Sequence, residues 1–274
     1  MRKLLAISGG VDSVCLLHMY KDDPEILVAH FNHGTRPSSK DDEVFVKNLA
    51  EKYGKKCIVG HANLGSNVSE EKARNARYEF LRKTAKEENA EIYTAHHTDD
   101  LIETIAINLL RGTGWRGLVP LDADDIVRPL IKKNYDKKKL LQYAAENNLS
   151  FRQDPTNNED NYLRNRVREK LKDFKNKTEI LELYNSQKNI KQEIETIFEE
   201  ITPKDKTYQR AWFKDADSKT AIEFLRHILK SENLSLTRPK LEDFLDAIKT
   251  YAPEKSFNLP GDRLVKIHKT YFVL

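Results

Sequence analysis

The stretch Leu4-Leu5-Ala6-Ile7-Ser8-Gly9-Gly10-Val11-Asp12-Ser13 decides how the first half of this chain reads. Four apolar residues in a row read as a short buried strand, and apolar residues at three-to-four spacing resume over 12–21, so a helix opens directly after the turn. Between them, two glycines let backbone N–H groups come close to phosphate oxygens, the helix N-terminus adds partial positive charge, and two serine hydroxyls add donors. The same residues fit an ordinary tight strand-to-helix turn, but their placement favours an anion cradle. The lysine of a Walker loop is missing and Asp12 is the odd member. A carboxylate at a phosphate site makes sense when a cation intervenes, and Mg²⁺ held by one or two carboxylates plus phosphate oxygens is the usual arrangement. Asp12 is therefore the first metal-ligand candidate.

Working outward, the same unit repeats. Short apolar runs at 26–29, 57–59 and 92–95 read as strands, and 41–53, 69–89 and 99–110 carry helical spacing. A fifth strand is expected near 126–131. Strand–helix repetition of this length implies βαβ units around a Rossmann-like parallel sheet with flanking helices, an α/β fold that binds ligands beyond the C-terminal ends of its strands. Ile180, Leu183, Tyr184, Ile190, Ile194, Ile197, Phe198 and Ile201 then lie in helical register, which predicts a long connector. Past Pro203, two amphipathic helices (221–229 and 241–248), a strand–turn–strand over 257–265 and a last strand over 271–274 predict a small α+β domain. The expected division is a catalytic domain over 1–175, a connecting helix over 176–205 and a C-terminal domain over 206–274.

With 39% hydrophobic residues the 274-residue chain can bury a core, and aromatics continue to its end. A net charge of +4 says little about partners; its distribution says more. Between Tyr162 and Lys177, Arg164, Arg166, Arg168, Lys170, Lys172, Lys175 and Lys177 face only Glu169 and Asp173. Such a segment fits a solvated helix, yet asparagine and tyrosine beside clustered arginine favour an RNA-binding arm. Cys15 and Cys57 form neither a C-x-x-C nor a secreted framework, so a reducing cytosol is expected. The apolar run after Met1-Arg2-Lys3 is too short for a signal peptide, and no run approaches a membrane span.

Asp99-Asp100 open a helix and Glu103 lies one turn on, so one polar face is expected to carry Asp100, Glu103, Thr104 and Arg111. Alone, this pattern would be an N-cap and a solvated face; after a strand end facing a phosphate loop it reads as part of a site. His30 with His33, and His96 with His97, lack the thiolate or carboxylate spacing that would complete a familiar zinc set. They read instead as lining for a nucleotide site, or as packed structural histidines.

Ser8-Gly9-Gly10-Val11-Asp12-Ser13 matches the S-G-G-x-D-S signature of the PP-loop ATP pyrophosphatases. Further stretches resemble the tRNA(Ile)-lysidine synthetases: Ala29-His30-Phe31-Asn32-His33-Gly34-Thr35-Arg36, Glu71-Lys72-Ala73-Arg74-Asn75-Ala76-Arg77-Tyr78, Ala95-His96-His97-Thr98-Asp99-Asp100-Leu101-Ile102-Glu103-Thr104 with Arg111-Gly112-Thr113-Gly114, and Asp154-Pro155-Thr156-Asn157 with Arg164-Asn165-Arg166-Val167-Arg168. Thr35 stands where the family usually has Leu, and Leu101 where it usually has Gln, which puts a polar contact near the site in question.

The resemblance implies ATP-dependent joining of L-lysine to C2 of the wobble cytidine of an isoleucine tRNA with anticodon CAU, through an adenylated tRNA. It implies that Ser8 to Ser13, His30, His33 and His96 bind ATP, that Asp12 and Asp99 hold Mg²⁺, and that Asp12, Asp99, Asp100 and Glu103 form the catalytic set. Asp100 and Glu103 would meet the lysine ammonium, and Arg74 or Arg77 its carboxylate. Arg111, Arg164, Asn165 and Arg168 would meet tRNA, together with Arg210, Trp212, Arg226, Arg238, Lys240, Lys266 and Tyr271 of the C-terminal part, whose other reading is a packing module. The state of association stays open, with a homodimer as one option. Rival readings on the same scaffold are a tRNA thiolase, which usually needs paired cysteines, and a synthetase of the kind that makes NAD or GMP. From another class, a regulatory nucleotide-binding module has no need for four site carboxylates.

Overall fold

The computed structural model describes residues 1–34, 39–62, 69–152, 163–171, 174 and 176–274, the side chains of Glu70 and Asn165 excepted. The expectations for Thr35, Arg36, the Asp154 to Asn157 stretch, Lys172, Lys175 and the Asn165 side chain fall outside that set. The chain forms two compact units, Met1–Gln187 and Lys188–Leu274.

In the first unit, β1 (Arg2–Ala6), β2 (Ile26–Asn32), β3 (Lys56–His61), β4 (Ala90–Tyr93) and β5 (Ile126–Val127) form a parallel sheet in the order β3-β2-β1-β4-β5. The register aligns Leu4 with Leu27 and Ile92, and Leu5 with Val28 and Tyr93. Because side chains alternate across a pleat, Leu5, Val28 and Tyr93 pack on one face with α1 (Val11–Met19), α2 (Ser39–Lys52) and α6 (Lys137–Glu146). On the other face Leu4, Leu27, Ala29 and Ile92 meet Tyr78, Leu81 and Ala85 of α3 (Glu70–Glu87). Each leucine so buried stabilises the unit by about 2 kcal/mol. Such two-sided burial explains why these strands read as continuous apolar runs.

The chain builds outward from β1 through β2 to β3 and then returns to β4 on the other side of β1. The loops after β1 and β4 therefore flank the switch point of the sheet, where an open α/β sheet leaves a crevice. The fifth strand is shorter than expected. It ends at Val127, because Arg128 caps and Pro129 opens a helical turn, α5 (Pro129–Lys132), with proline at the position where its missing N–H costs nothing. Beyond α4 (Thr98–Leu110) lies a 3₁₀ turn, Trp115–Leu118, and α7 (Leu163–Leu171) packs against α4. Leu101 is fully buried with Ile105, Val119 and Tyr184, so the departure at this position extends a core and touches no ligand-facing surface.

The helix α8 (Lys177–Ile201) runs from the first unit into the second. In the second unit β6 (Thr207–Gln209), β7 (Lys255–Leu259), β8 (Arg263–Ile267) and β9 (Tyr271–Val273) form an antiparallel sheet in the order β6-β9-β8-β7, with α9 (Arg210–Asp215), α10 (Ser218–Ser231) and α11 (Arg238–Thr250). Phe213, Phe224, Phe244 and Phe272 centre its core. Arg210, expected to meet tRNA, is buried at 4% exposure and donates to the carbonyls of Ile248, His268 and Tyr251 at 2.6, 2.9 and 2.9 Å. That assignment is corrected, since all this guanidinium's edges are spent inside the unit. Replacing it should orphan three carbonyls. Arg210→Met is expected to lower the unfolding free energy of the second unit by roughly 2–4 kcal/mol. Urea titration followed by Trp212 fluorescence in a Trp115→Phe background measures it.

Candidate active site

The turn after β1 is shaped by Ser13. Its buried hydroxyl accepts from the amides of Ser8 and Gly9, both at 3.2 Å, and donates to the Gly10 carbonyl at 2.9 Å. Of the two serines expected to face phosphate, Ser13 thus holds the loop in shape, and Ser8 lies exposed at its rim. Gly9 adopts φ +94°, a conformation that L side chains resist. Gly10 caps α1 in extended geometry with no side-chain cap, leaving the first-turn amides of Val11, Asp12 and Ser13 without intrahelical acceptors. This is an anion-binding helix end. The Val11 side chain is buried, so only its backbone can serve a ligand.

Across the switch point, α4 brings three carboxylates into differing surroundings. Asp100 accepts from the His97 amide at 3.0 Å and caps the helix, with His97 Nε2 3.6 Å from it and 3.9 Å from Asp12. Asp99 accepts from the Lys137 amide at 2.9 Å and the Lys177 ammonium at 2.6 Å. Burial alone would raise the Asp99 carboxyl, but these two donors hold it below the ordinary carboxylate value. Glu103 does not lie on a solvated face: it is 3% exposed and takes both donors of Arg168, at 2.7 and 3.0 Å. Arg164 donates to Thr104 at 3.2 Å. The arginines expected to meet tRNA are in this structure drawn into the acidic helix, while Arg111 stands exposed at its C-terminal cap.

His30 is buried with Nδ1 2.9 Å from the Ile7 carbonyl, and burial lowers its pKa. His33 lies edge-on to Phe31, its pKa also lowered by burial. His96 meets the Thr94 hydroxyl at 2.8 Å, and burial with the charges of Arg128, Arg77, Arg74 and Arg164 pushes it down to about 3, so it is neutral at physiological pH. Arg74 and Arg77 lie over the Tyr78 ring, at 5.0 and 5.2 Å from its centre.

Sequence reasoning missed Lys137, whose ammonium touches both oxygens of Asp12 at 2.8 and 3.0 Å. A signal existed for its helix, since Asp136 before Lys137-Lys138-Lys139-Leu140-Leu141 is an N-cap pattern, and Asp136 does cap the Lys139 amide. Nothing local could pair it with a residue 125 positions away. Arg128 was missed for the same reason, and Lys177, read as part of the basic arm, was not foreseen as the partner of Asp99.

A glycine-rich anion loop and a carboxylate helix facing each other over the switch point of a parallel sheet define a nucleotide-binding α/β domain of the phosphate-loop kind. An ATP-binding PP-loop domain model matches residues 1–174, and the chain belongs to that family. The chain is 37% identical over 184 residues to a tRNA(Ile)-lysidine synthase of Thermosipho africanus, covering 62% of this chain and 43% of that one. It is 39% identical over 184 residues to another of Clostridium tetani, covering 61% and 39%. It thus spans about two fifths of the length of the curated relatives it matches. Among solved structures, the U34-tRNA thiolase NcsA of Methanococcus maripaludis superposes with a TM-score of 0.57 at 18% identity, covering 69% of this chain and 72% of that one, a likeness of fold.

Among the described residues no group of three or more His, Cys, Asp or Glu is placed to hold a metal alone. Asp12 and Asp99 nonetheless suit a hard cation, because each has drawn in a lysine ammonium, and Asp12 stands in the first turn of the anion-binding helix α1. Two carboxylates leave the remaining positions to phosphate and water oxygens, the set Mg²⁺ prefers. If Lys137 competes with Mg²⁺ for Asp12, Lys137→Met should lower the Mg²⁺ midpoint about 2- to 5-fold in the absence of nucleotide, the scale of a part-exposed ion pair. Calorimetric Mg²⁺ titration reads this directly, and an unchanged midpoint would remove Asp12 from the ligand set.

Proposed function

We propose that this chain joins L-lysine to the wobble cytidine of an isoleucine tRNA with anticodon CAU, in the cytoplasm, using ATP. The observation that carries this reading is the meeting of an anion loop and an acidic helix across one switch point, in a chain sharing a third or more of its matched residues with lysidine synthases. In the first step cytosine O2 attacks the α-phosphorus of ATP and pyrophosphate leaves. In the second the lysine side-chain amine attacks C2 and AMP leaves.

The amides of Val11, Asp12 and Ser13 would hold phosphate oxygens in place before charge develops on them. Mg²⁺ held by Asp12 and Asp99 would offset the charge of the departing pyrophosphate. Asp100 would orient the lysine ammonium, and Arg74 or Arg77 would face its carboxylate. The attacking amine must be neutral, which costs roughly 4.6 kcal/mol at pH 7 from a reference pKa near 10.4. Desolvation beside the buried α4 edge favours the uncharged form and offsets part of that cost. Glu103, tied to Arg168, serves this reading as the anchor that orients α7, and as a lysine contact only after that pair opens.

Thiolation draws no support from the thiols. Cys15 is buried in α1 with its pKa pushed up to about 11 by burial, and Cys57 is raised for the same reason in β3. Both are poor nucleophiles at neutral pH.

An isoleucine tRNA with a CAU anticodon shares it with methionine tRNA, so discrimination needs contacts beyond the anticodon. The arm over 163–171 and the C-terminal unit, without Arg210, are the candidates. The test is incubation with labelled lysine, ATP and each tRNA: label should enter the isoleucine tRNA alone, and absence of label from it would sink the reading. Asp100→Asn keeps the helix cap but loses the charge, so it should raise KM for lysine about 10-fold while ATP–pyrophosphate exchange persists. Equal damage to ATP and lysine use would make Asp100 a metal ligand instead.

A further inference from the structure

The glycine pair of the phosphate loop is held from outside as well as by Ser13. The Gly9 carbonyl accepts from the amide of Arg152, far along the chain, at 2.9 Å. Gly9 itself lies in a nook walled by Phe45 and Val46 of α2 and by the stem of Arg152: a Cβ built on it would stand 3.4, 3.5 and 3.6 Å from Phe45 Cδ1, Val46 Cγ2 and Arg152 Cγ. The Arg152 guanidinium also reaches α2, where Nε donates to Asp42 at 3.1 Å and Nη2 lies 4.0 Å from Asp41. The Asp42 side chain is only 13% exposed. Just before Arg152, Leu149 and Phe151 pack against the core shared by α1, α2 and α6. The Arg152 amide is thus fixed both through its own side chain and through its neighbours.

A peptide between two glycines turns over more easily than others, because neither flanking residue has a Cβ to oppose the change. In a planar trans peptide the C=O and the N–H point opposite ways. With the Gly9 oxygen tied to Arg152, the Gly10 N–H is aimed to the other side, where it has only a long 3.4 Å contact with the Ser8 hydroxyl and remains a donor for an anion. Turned over, the same peptide would present its oxygen and repel the anion. Ser13 does not prevent this, since the Ser8 and Gly9 amides and the Gly10 carbonyl that it holds belong to the peptides on either side.

We propose that Arg152 is a positioning residue of the nucleotide site: its amide sets the Gly9–Gly10 peptide with the N–H toward the phosphates, and its ion pair with Asp42 keeps that amide in place. This rests on nucleotide binding at the loop and not on lysine as the second substrate. The guanidinium is turned to the acids of α2 and supplies anchorage rather than charge to the anion. Bracing and simple Coulomb attraction differ in sign at Asp42. Removing an acid beside an anion site tightens binding if charge alone matters, and loosens it if the acid holds the brace.

Calorimetric titration of the full chain with inorganic pyrophosphate and Mg²⁺ reads the loop directly, and titration with adenosine, which carries no phosphate, is its control. Arg152→Ala and Asp42→Asn should each raise the Kd for pyrophosphate about 5-fold, the scale of one hydrogen bond to the anion, with adenosine affinity and the thermal midpoint unchanged. The double variant should bind no more weakly than either single one, because the two side chains act through one contact. Arg152→Lys, which keeps a cation for Asp42, should recover most of the affinity. Tighter pyrophosphate binding by Asp42→Asn beside weaker binding by Arg152→Ala would make Arg152 a charge on the anion and overturn the brace. An unchanged Kd in both, or an equal loss on adenosine, overturns it as well. A chain that shows the expected pattern yet incorporates no lysine keeps the brace and loses only the lysine-joining reading.

Discussion

The structure of the site depends on a carboxylate kept from water. Glu103 sits at 3% exposure inside the α4–α7 contact, and Arg168 meets both its oxygens. Burying a charge is costly unless it is paired with good geometry, and breaking such a pair by removing one partner costs about 3–5 kcal/mol. The pair therefore dictates where α7 lies, and α7 in turn brings Arg164 to Thr104. From this single constraint a basic segment that reads as a free RNA-binding arm becomes a clasp on the acidic helix.

The same rule repeats along the edge of the sheet. Asp12 holds Lys137, Asp99 holds Lys177, and Glu103 holds Arg168. All three cations come from later in the chain than the carboxylates they meet. Carboxylates gathered this closely would repel one another, and the lysines and the arginine relieve that repulsion. The Lys137 pair is exposed and the Lys177 pair part-buried, each a single ammonium on a carboxylate that water still reaches, while Glu103 is buried and met by two donors of Arg168. A ligand can displace the first kind at small cost, so the gradient of burial along α4 sorts its carboxylates into those that can turn to a ligand and one that anchors.

Much of this was legible in the sequence, for identifiable reasons. Strands buried on both faces gave continuous apolar runs, and the glycine turn after β1 stands within ten residues of the chain start. Local patterns found α1 to α4, α8, α10 and α11 because each carries its own amphipathic spacing. The end of β5 was misread since Ile126 to Ile131 is apolar throughout except for Arg128 and Pro129, and proline's preference for a first helical position settled the outcome. Glu103 was read as a ligand-facing carboxylate on the polar face of α4, and its pairing with Arg168 was not foreseen because helical periodicity locates a residue on a helix and says nothing about what α7 lays over it. Arg210 was misassigned likewise: a guanidinium serving three carbonyls looks in sequence like any surface arginine. Leu101 is the converse case, where a departure from a family pattern proved to be core.

A parallel sheet places its chemistry on one edge, and here that edge is divided by charge. The side after β4 carries Asp99 and Asp100 on α4, and the side after β5, with α3, carries Arg74, Arg77 and Arg128. His96 lies between them and stays neutral, so it neither screens the acids nor adds to the cations. An amino acid with a basic side chain is itself divided in this way, cationic at one end and anionic at the other. On the proposed reading, each half of the edge would repel the wrong end of such a molecule and attract the right one once the lysines that hold the acids give way. The phosphate loop, lying after β1 on the opposite flank of α4, is left free for the nucleotide. On the same reading, the order of strands would separate two substrates of opposite character, with the acidic helix between them as the surface both reach.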